Sequence, residues 1–259
     1  MKSIRPWSLF RLAQAGIMSR SSCWLLLLGA GLFAWLAPLL TPWEENPQIF
    51  QPARAQAAWI YAWLALFTWL PYQASALGAR MRRDGVLEHL RAGGMKPWQQ
   101  CLQLSSALWI WAAAVVGVAL LVCLVFTRPA RAEEAALWAV LVCQYGALYF
   151  LCAAPLLLLG VCLGTRTAEV IAFLVPAGLL LSGLFGAVWL APLLGGSSLA
   201  VFKSVWLALP HYHLADLTPR LVFKMGPLNS SDFFSSAMIL LLQGVALSIL
   251  GRCLYRTRS

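Results

Sequence analysis

The sequence predicts an all-α integral membrane protein, a single domain over residues 1–259 with six transmembrane helices. An N-terminal interfacial helix, a short cytoplasmic helix after span two and short re-entrant helices between spans five and six complete it. Three observations predict this class. Six apolar stretches fill most of the chain: Cys23–Leu40, Ala57–Leu77, Leu104–Phe126, Ala135–Leu163, Val170–Leu194 and Ser236–Leu254. A bilayer core about 30 Å thick needs about 20 such residues in a helix. At 61% hydrophobic the chain exceeds what a soluble domain carries. Finally, the charges are sorted by side. With both termini and the loops after spans two and four together, one side holds thirteen of the 19 basic residues against Asp84, Glu88 and Glu169, while the other holds six basic and six acidic residues. The basic side is the cytoplasmic one.

From the N-terminus, residues 1–22 lack an apolar core of their own, so they are not expected to be a cleaved signal. Within them Arg5–Arg20 reads as an amphipathic helix lying on the membrane. Trp7, Leu9, Phe10, Leu12, Ala13, Ile17 and Met18 form its apolar side, and Arg5, Arg11, Gln14 and Arg20 its polar side. The loop Thr41–Gln56 carries Pro42, Pro47 and Pro52, so it reads as turn-rich; Trp43 and Trp59 read as interfacial anchors. Span four, at 29 residues, is too long to cross upright, and Pro155 supplies a reason for a kink. Gly160 and Gly164 make a GxxxG pair that permits close helix packing. Between spans five and six, residues 195–235 form an external region with a re-entrant or interfacial stretch at Leu199–Leu209 and an amphipathic piece at Leu214–Phe223.

Seven cysteines lie in the spans or at their ends, odd in number and without a CxxC, so no disulfide framework is expected. The basic excess flanks the spans, which fits anionic lipid heads as partners and not nucleic acid. No GxxxxGK[ST], HExxH or GxSxG occurs, and no cofactor is implied. No acidic or basic residue lies at membrane depth; Arg252, near the end of span six, can snorkel. The energy source for any transport is therefore expected outside the chain, and the chain is not expected to be an enzyme. Polar span residues are Thr68, Gln73, Ser105, Ser106, Gln144, Ser182, Gln243 and Ser248; Gln144 and Gln243 read as interhelical hydrogen-bonding groups. His211 and His213 could ligate copper or zinc, but no third or fourth ligand is evident, and two headgroup-level histidines are the better reading.

The most specific segment is the cytoplasmic loop 78–103, which includes RMRRDGVLEHLRAGGMKPWQQCLQ. It predicts a short helix Gly85–Arg91 presenting Val86, Leu87 and Leu90 together, capped by Asp84 and ended by Gly93 and Gly94, with Pro97 opening the next helix. Such a helix reads either as a docking knob for a partner or as an element packed on the membrane surface.

Together these features resemble the permease subunit of bacterial ABC-2 type transporters. In that family the loop after span two often reads acidic-Gly-x-Leu-Glu-x-Leu, which Asp84-Gly85-Val86-Leu87-Glu88-His89-Leu90 matches. The resemblance implies that this stretch is a coupling helix docking on a separate ABC ATPase subunit, present in two copies, and that a second permease copy completes a homo- or heterodimer. Leu209-Pro210-His211-Tyr212-His213-Leu214-Ala215-Asp216-Leu217 resembles a segment of bacterial members, including those linked to copper-enzyme maturation. The resemblance implies an inner-membrane transporter subunit and names no substrate. The alternative is a non-transporting membrane scaffold that passes force to an external partner.

Overall fold

The computed structural model describes residues 7–36, 47–186, 189, 204 and 209–255, and every regular element among them is helical. Helix α1 (Ser8–Met18) turns by 69° into α2 (Ser21–Leu36). Helices α3 (Pro47–Phe67) and α4 (Trp69–Arg83) follow, then the short α5 (Val86–Ala92). Helix α6 (Pro97–Leu121) continues through a π-helical turn at Val122–Phe126, and α7 spans Ala132–Gly164. Helix α8 (Glu169–Leu181) also runs into a π turn, Ser182–Gly186. A 3-10 turn at Tyr212–Ala215, α9 (Thr218–Val222) and α10 (Ser230–Leu254) close the described chain. Among the described residues four helices are long and apolar enough to cross a membrane, or five with the bent α1–α2 pair as one span. Residues 37–40, the end of the fifth predicted span and all of Leu199–Leu209 except Ser204 and Leu209 lie outside the described residues, as does Trp43.

Long-range contacts sort the helix ends into two groups. At one end Cys101 of α6 meets Cys162 of α7 (Sγ–Sγ 3.1 Å), Tyr255 after α10 meets Gln100 of α6, and Arg83 of α4 meets Glu169 of α8. At the other end Trp138 of α7 donates to the Cys123 carbonyl of α6. The chain therefore passes back and forth between a basic end and a far end, and Arg80–Lys96, Arg166 and Arg252 share the former. All seven cysteines are free thiols.

Helix α7 is the post of the bundle; α4, α6, α8 and α10 all pack on it. Its Gly160 and Gly164 let α4 approach at backbone distance. A Cβ on Gly164 would stand 2.5 Å from the Ser75 carbonyl oxygen, one on Gly160 would meet the Ala74 Cβ at 3.0 Å, and one on Gly78 would strike the Val161 carbonyl oxygen. The GxxxG pair thus finds its counterpart in Ala74 and Gly78, also four residues apart. Helix α7 runs unbroken through Pro155, whose ring lies beside Gly244 of α10.

Several local expectations are corrected. The predicted loop Thr41–Gln56 is helical from Pro47, because a proline suits a helix start, and the helix continues through Pro52. The second predicted span is broken between α3 and α4 at Thr68, where the Thr68 hydroxyl turns back to the Leu64 carbonyl. Pro71, in the first turn of α4, lacks an N–H that would have had no helical partner there, so the break falls where it costs least. Trp59 is no interfacial anchor: it is fully buried and stacks on Tyr145, ring centres 3.8 Å apart. Gln14, assigned to a polar side, instead tethers α1 to α6. It donates to the Ala107 carbonyl and accepts from Trp111, while Leu9, Ala13 and Ile17 face inward. The Leu214–Phe223 piece is two short elements, the 3-10 turn and α9.

Candidate functional site

Two arrangements of polar groups stand out, one at each end of the bundle. At the basic end, α5 is a seven-residue helix held between two left-handed glycines, Gly85 (φ 67°) and Gly94 (φ 92°). Gly93 and Gly94 end it as expected, and Pro97 opens α6 at its first position. The backbone N–H of Lys96 donates to Gln99 Oε1, which secures that start. Asp84 does not cap α5. It ends α4, and Gly85 occupies the cap position with no side-chain cap. A seven-residue helix is marginal alone, so its seat must hold it. Leu87 is fully buried in the chain's own core, and its carbonyl oxygen accepts from Gln100 Nε2 at 3.0 Å. Val86 and Leu90 are half-buried against the same core.

The expectation that Val86, Leu87 and Leu90 form one outward apolar face is therefore corrected for Leu87, which is an inward anchor. The exposed surface of α5 consists of Asp84 just before it, then His89, Arg91 and Ala92, with Val86, Glu88 and Leu90 at its margins. Gly85 is half-buried at the hinge. Around it Arg82 donates to the Thr165 carbonyl, and Arg83 pairs with Glu169 at 3.7 Å.

At the far end, the segment Leu209–Asn229 inserts among the helices, and buried polar groups satisfy its backbone. Gln144 of α7 donates to the Leu228 carbonyl and accepts from the Leu228 N–H. Gln243 of α10 accepts from the His211 N–H at 3.1 Å. Both glutamines lie roughly 18–20 Å along their helices from the far end. The two side chains singled out in the sequence do bridge structure, but they reach a loop and not another helix. Non-helical backbone at such depth requires partners of this kind.

Beside them Tyr145 gathers three groups. Its hydroxyl donates to Asp216 Oδ1 at 2.6 Å, lies 2.7 Å from Thr218 Oγ1 and accepts from Trp63 Nε1 at 2.8 Å. Tyr149 donates to the Ala62 carbonyl at 2.7 Å. With Trp59 and Trp63 these tyrosines bind α3, α7 and the inserted segment into one buried cluster. Sequence reasoning missed this cluster. The available signal was Asp216, a carboxylate in an apolar stretch, facing tyrosines and tryptophans four residues apart on two predicted spans.

His211 and His213 do come together, ring centres 5.6 Å apart. Nδ1 of His211 is already engaged with the Leu209 carbonyl at 2.6 Å. Burial, and then the neighbouring His211 ring, hold His213 below the usual histidine pKa. Among the described residues no group of three or more His, Cys, Asp or Glu side chains could hold a metal ion.

With this geometry in view, comparison with protein families is direct. The family model described as ABC-2 family transporter protein matches residues 44–252. The chain belongs to the ABC-2 transporter family and is a multi-pass membrane protein of the ABC permease kind. Membership implies, in general terms, association with an ABC ATPase subunit and dimer formation. No curated protein matches the chain.

Proposed function

We propose that this chain is the membrane-spanning permease subunit of a bacterial inner-membrane ABC transporter, moving a substrate with energy from a separate ATP-hydrolysing subunit. Two permease copies, a homo- or heterodimer, sit over two ATPase copies. The chain crosses the membrane six times with both termini in the cytoplasm, and residues 195–235 form the external re-entrant region. The coupling element is Asp84, Gly85, Val86, Leu87, Glu88 and Leu90, with Leu87 as its root.

The observation that carries this reading is α5 itself. It is a helix too short to stand alone, rooted in the core by Leu87 and projecting at the end where the basic residues collect. Motion of a docked partner would reach the spans through that root. The sorted charges support the orientation.

The test uses the exposed surface, since Leu87 is a core residue. His89→Asp and Ala92→Trp alter the outward face of α5 and leave its seat untouched. The ATPase should co-purify with the wild-type chain and be lost with Ala92→Trp, while the permease stays folded and dimeric. Retention of the ATPase and of stimulated hydrolysis in both variants means that α5 is a membrane-surface element.

A further inference from the structure

The seat of α5 contains a residue that the sequence motif does not include. Gln100 lies in the first turns of α6 and is fully buried. A buried primary amide is costly unless both its ends are bonded. Both ends of Gln100 are, and to different elements. Its Nε2 donates to the Leu87 carbonyl oxygen of α5 at 3.0 Å, and its Oε1 accepts from the Tyr255 hydroxyl at 3.0 Å, just past the end of α10. Leu87 and Tyr255, far apart in the chain, are thereby joined by one side chain. Leucine would fill the same space without either bond.

The surroundings make this join consequential. Gly85 and Gly94, both in the left-handed region, bound α5 on its two sides. Leu87 holds it by two contacts, the side chain in the core and the carbonyl on Gln100, beside the half-buried Val86 and Leu90. Helix α10 is the least enclosed of the apolar helices, with 6% of its most apolar window buried. Its end nevertheless rests on α7 at Gly251, beside Leu158 and Cys162, and Tyr255 ties that end to Gln100.

We propose that Gln100 is the positioning residue of α5, linking its attitude through Tyr255 to the end of α10, so that movement at one is felt at the other. This rests on the reading of α5 as the ATPase contact, and the two fail separately under test.

The full chain is placed in lipid nanodiscs, alone and with its ATPase, as wild type, Gln100→Leu, Tyr255→Phe and the double variant. In the permease alone, Gln100→Leu raises hydrogen exchange at the α5 amides about tenfold, and Tyr255→Phe raises it about two- to threefold. Exchange in α7 stays unchanged. Tyr255→Phe adds nothing once Gln100 is leucine, because its effect passes through that amide. In the complex, kcat for ATP hydrolysis falls severalfold in both single variants at unchanged KM for ATP. Wild-type exchange at α5 in Tyr255→Phe overturns the inference, as does full additivity of the two substitutions or an unchanged kcat. Failure of the coupling reading appears elsewhere, as retention of the ATPase by Ala92→Trp.

Discussion

Helices α7 and α10 are nearly equal in hydropathy, yet 72% of the most apolar window of α7 is buried inside the chain against 6% for α10. In a bilayer, apolarity places a helix in the membrane and says nothing of its neighbours, because lipid tails are as apolar as leucine. What distinguishes the two is where small and hydrogen-bonding residues fall. Helix α7 carries Gly160 and Gly164 against α4, Gly146 against Val116 and Leu120 of α6, and Tyr145, Tyr149 and Gln144 toward α3 and the inserted segment. Helix α10 carries fewer of these, Gly244 and Gly251, which rest on α7 at Pro155 and Leu158, and Gln243, which holds the His211 N–H. Leu240 is also buried, but Phe234, Met238, Leu242 and Ile249 form exposed apolar surface.

This contrast can be broken most severely at the α4–α7 contact. Gly164→Leu drives a side chain into the Ser75 carbonyl and should destabilise the chain by about 3 kcal/mol or more. Leu242→Ala on the outward side of α10 should shift stability by less than about 0.5 kcal/mol. Thermal unfolding in one detergent compares the two directly, and equal losses would remove the distinction between the helices.

A smaller effect is expected from Tyr145→Phe, which leaves Asp216 Oδ1 and Trp63 Nε1 without their shared hydroxyl. The cost should be about 1–3 kcal/mol, read as a lower unfolding midpoint and faster proteolysis of residues 209–229. The Asp216→Asn background should blunt it, since the bond to Oδ1 loses its charge there.

The smallest effect is a pH dependence. His213 has its pKa lowered on folding, so the folded chain favours its neutral form. Its contribution is present above the pKa of an unfolded histidine and is lost as pH falls through that value toward the lower folded one. Acidification from neutral pH should therefore loosen the inserted segment. His213→Gln should flatten the profile of proteolytic sensitivity against pH, and an unchanged profile would assign the effect to another group.

The legible parts of the fold are those fixed by local physics. Long apolar runs mark their own helices, and α5 lies within one residue of its predicted limits because Gly85, Gly93, Gly94 and Pro97 punctuate the chain whatever surrounds it. The amphipathic stripe of α1 was equally visible in Leu9, Ala13 and Ile17. What escaped depends on distant partners. Trp59 looked like an interfacial residue because its burial requires Tyr145, 86 positions on. Asp84 has the chemistry of a cap, but α4 runs into that position first. Leu87 turns inward onto the chain's own core, and its carbonyl meets Gln100 only when α5 and α6 are brought together. Half of the α4–α7 contact is readable in Gly160 and Gly164; the other half, Ala74 and Gly78, has the same four-residue spacing.

Native mass spectrometry of the tagged chain, released from lipid nanodiscs with whatever it binds in its own membrane, tests the central claim most directly. The account predicts two copies of this chain with two copies of an ABC ATPase, and, for Ala92→Trp, the permease dimer alone. A wild-type chain that carries no ATPase, or a two-plus-two complex that survives Ala92→Trp intact, would contradict it.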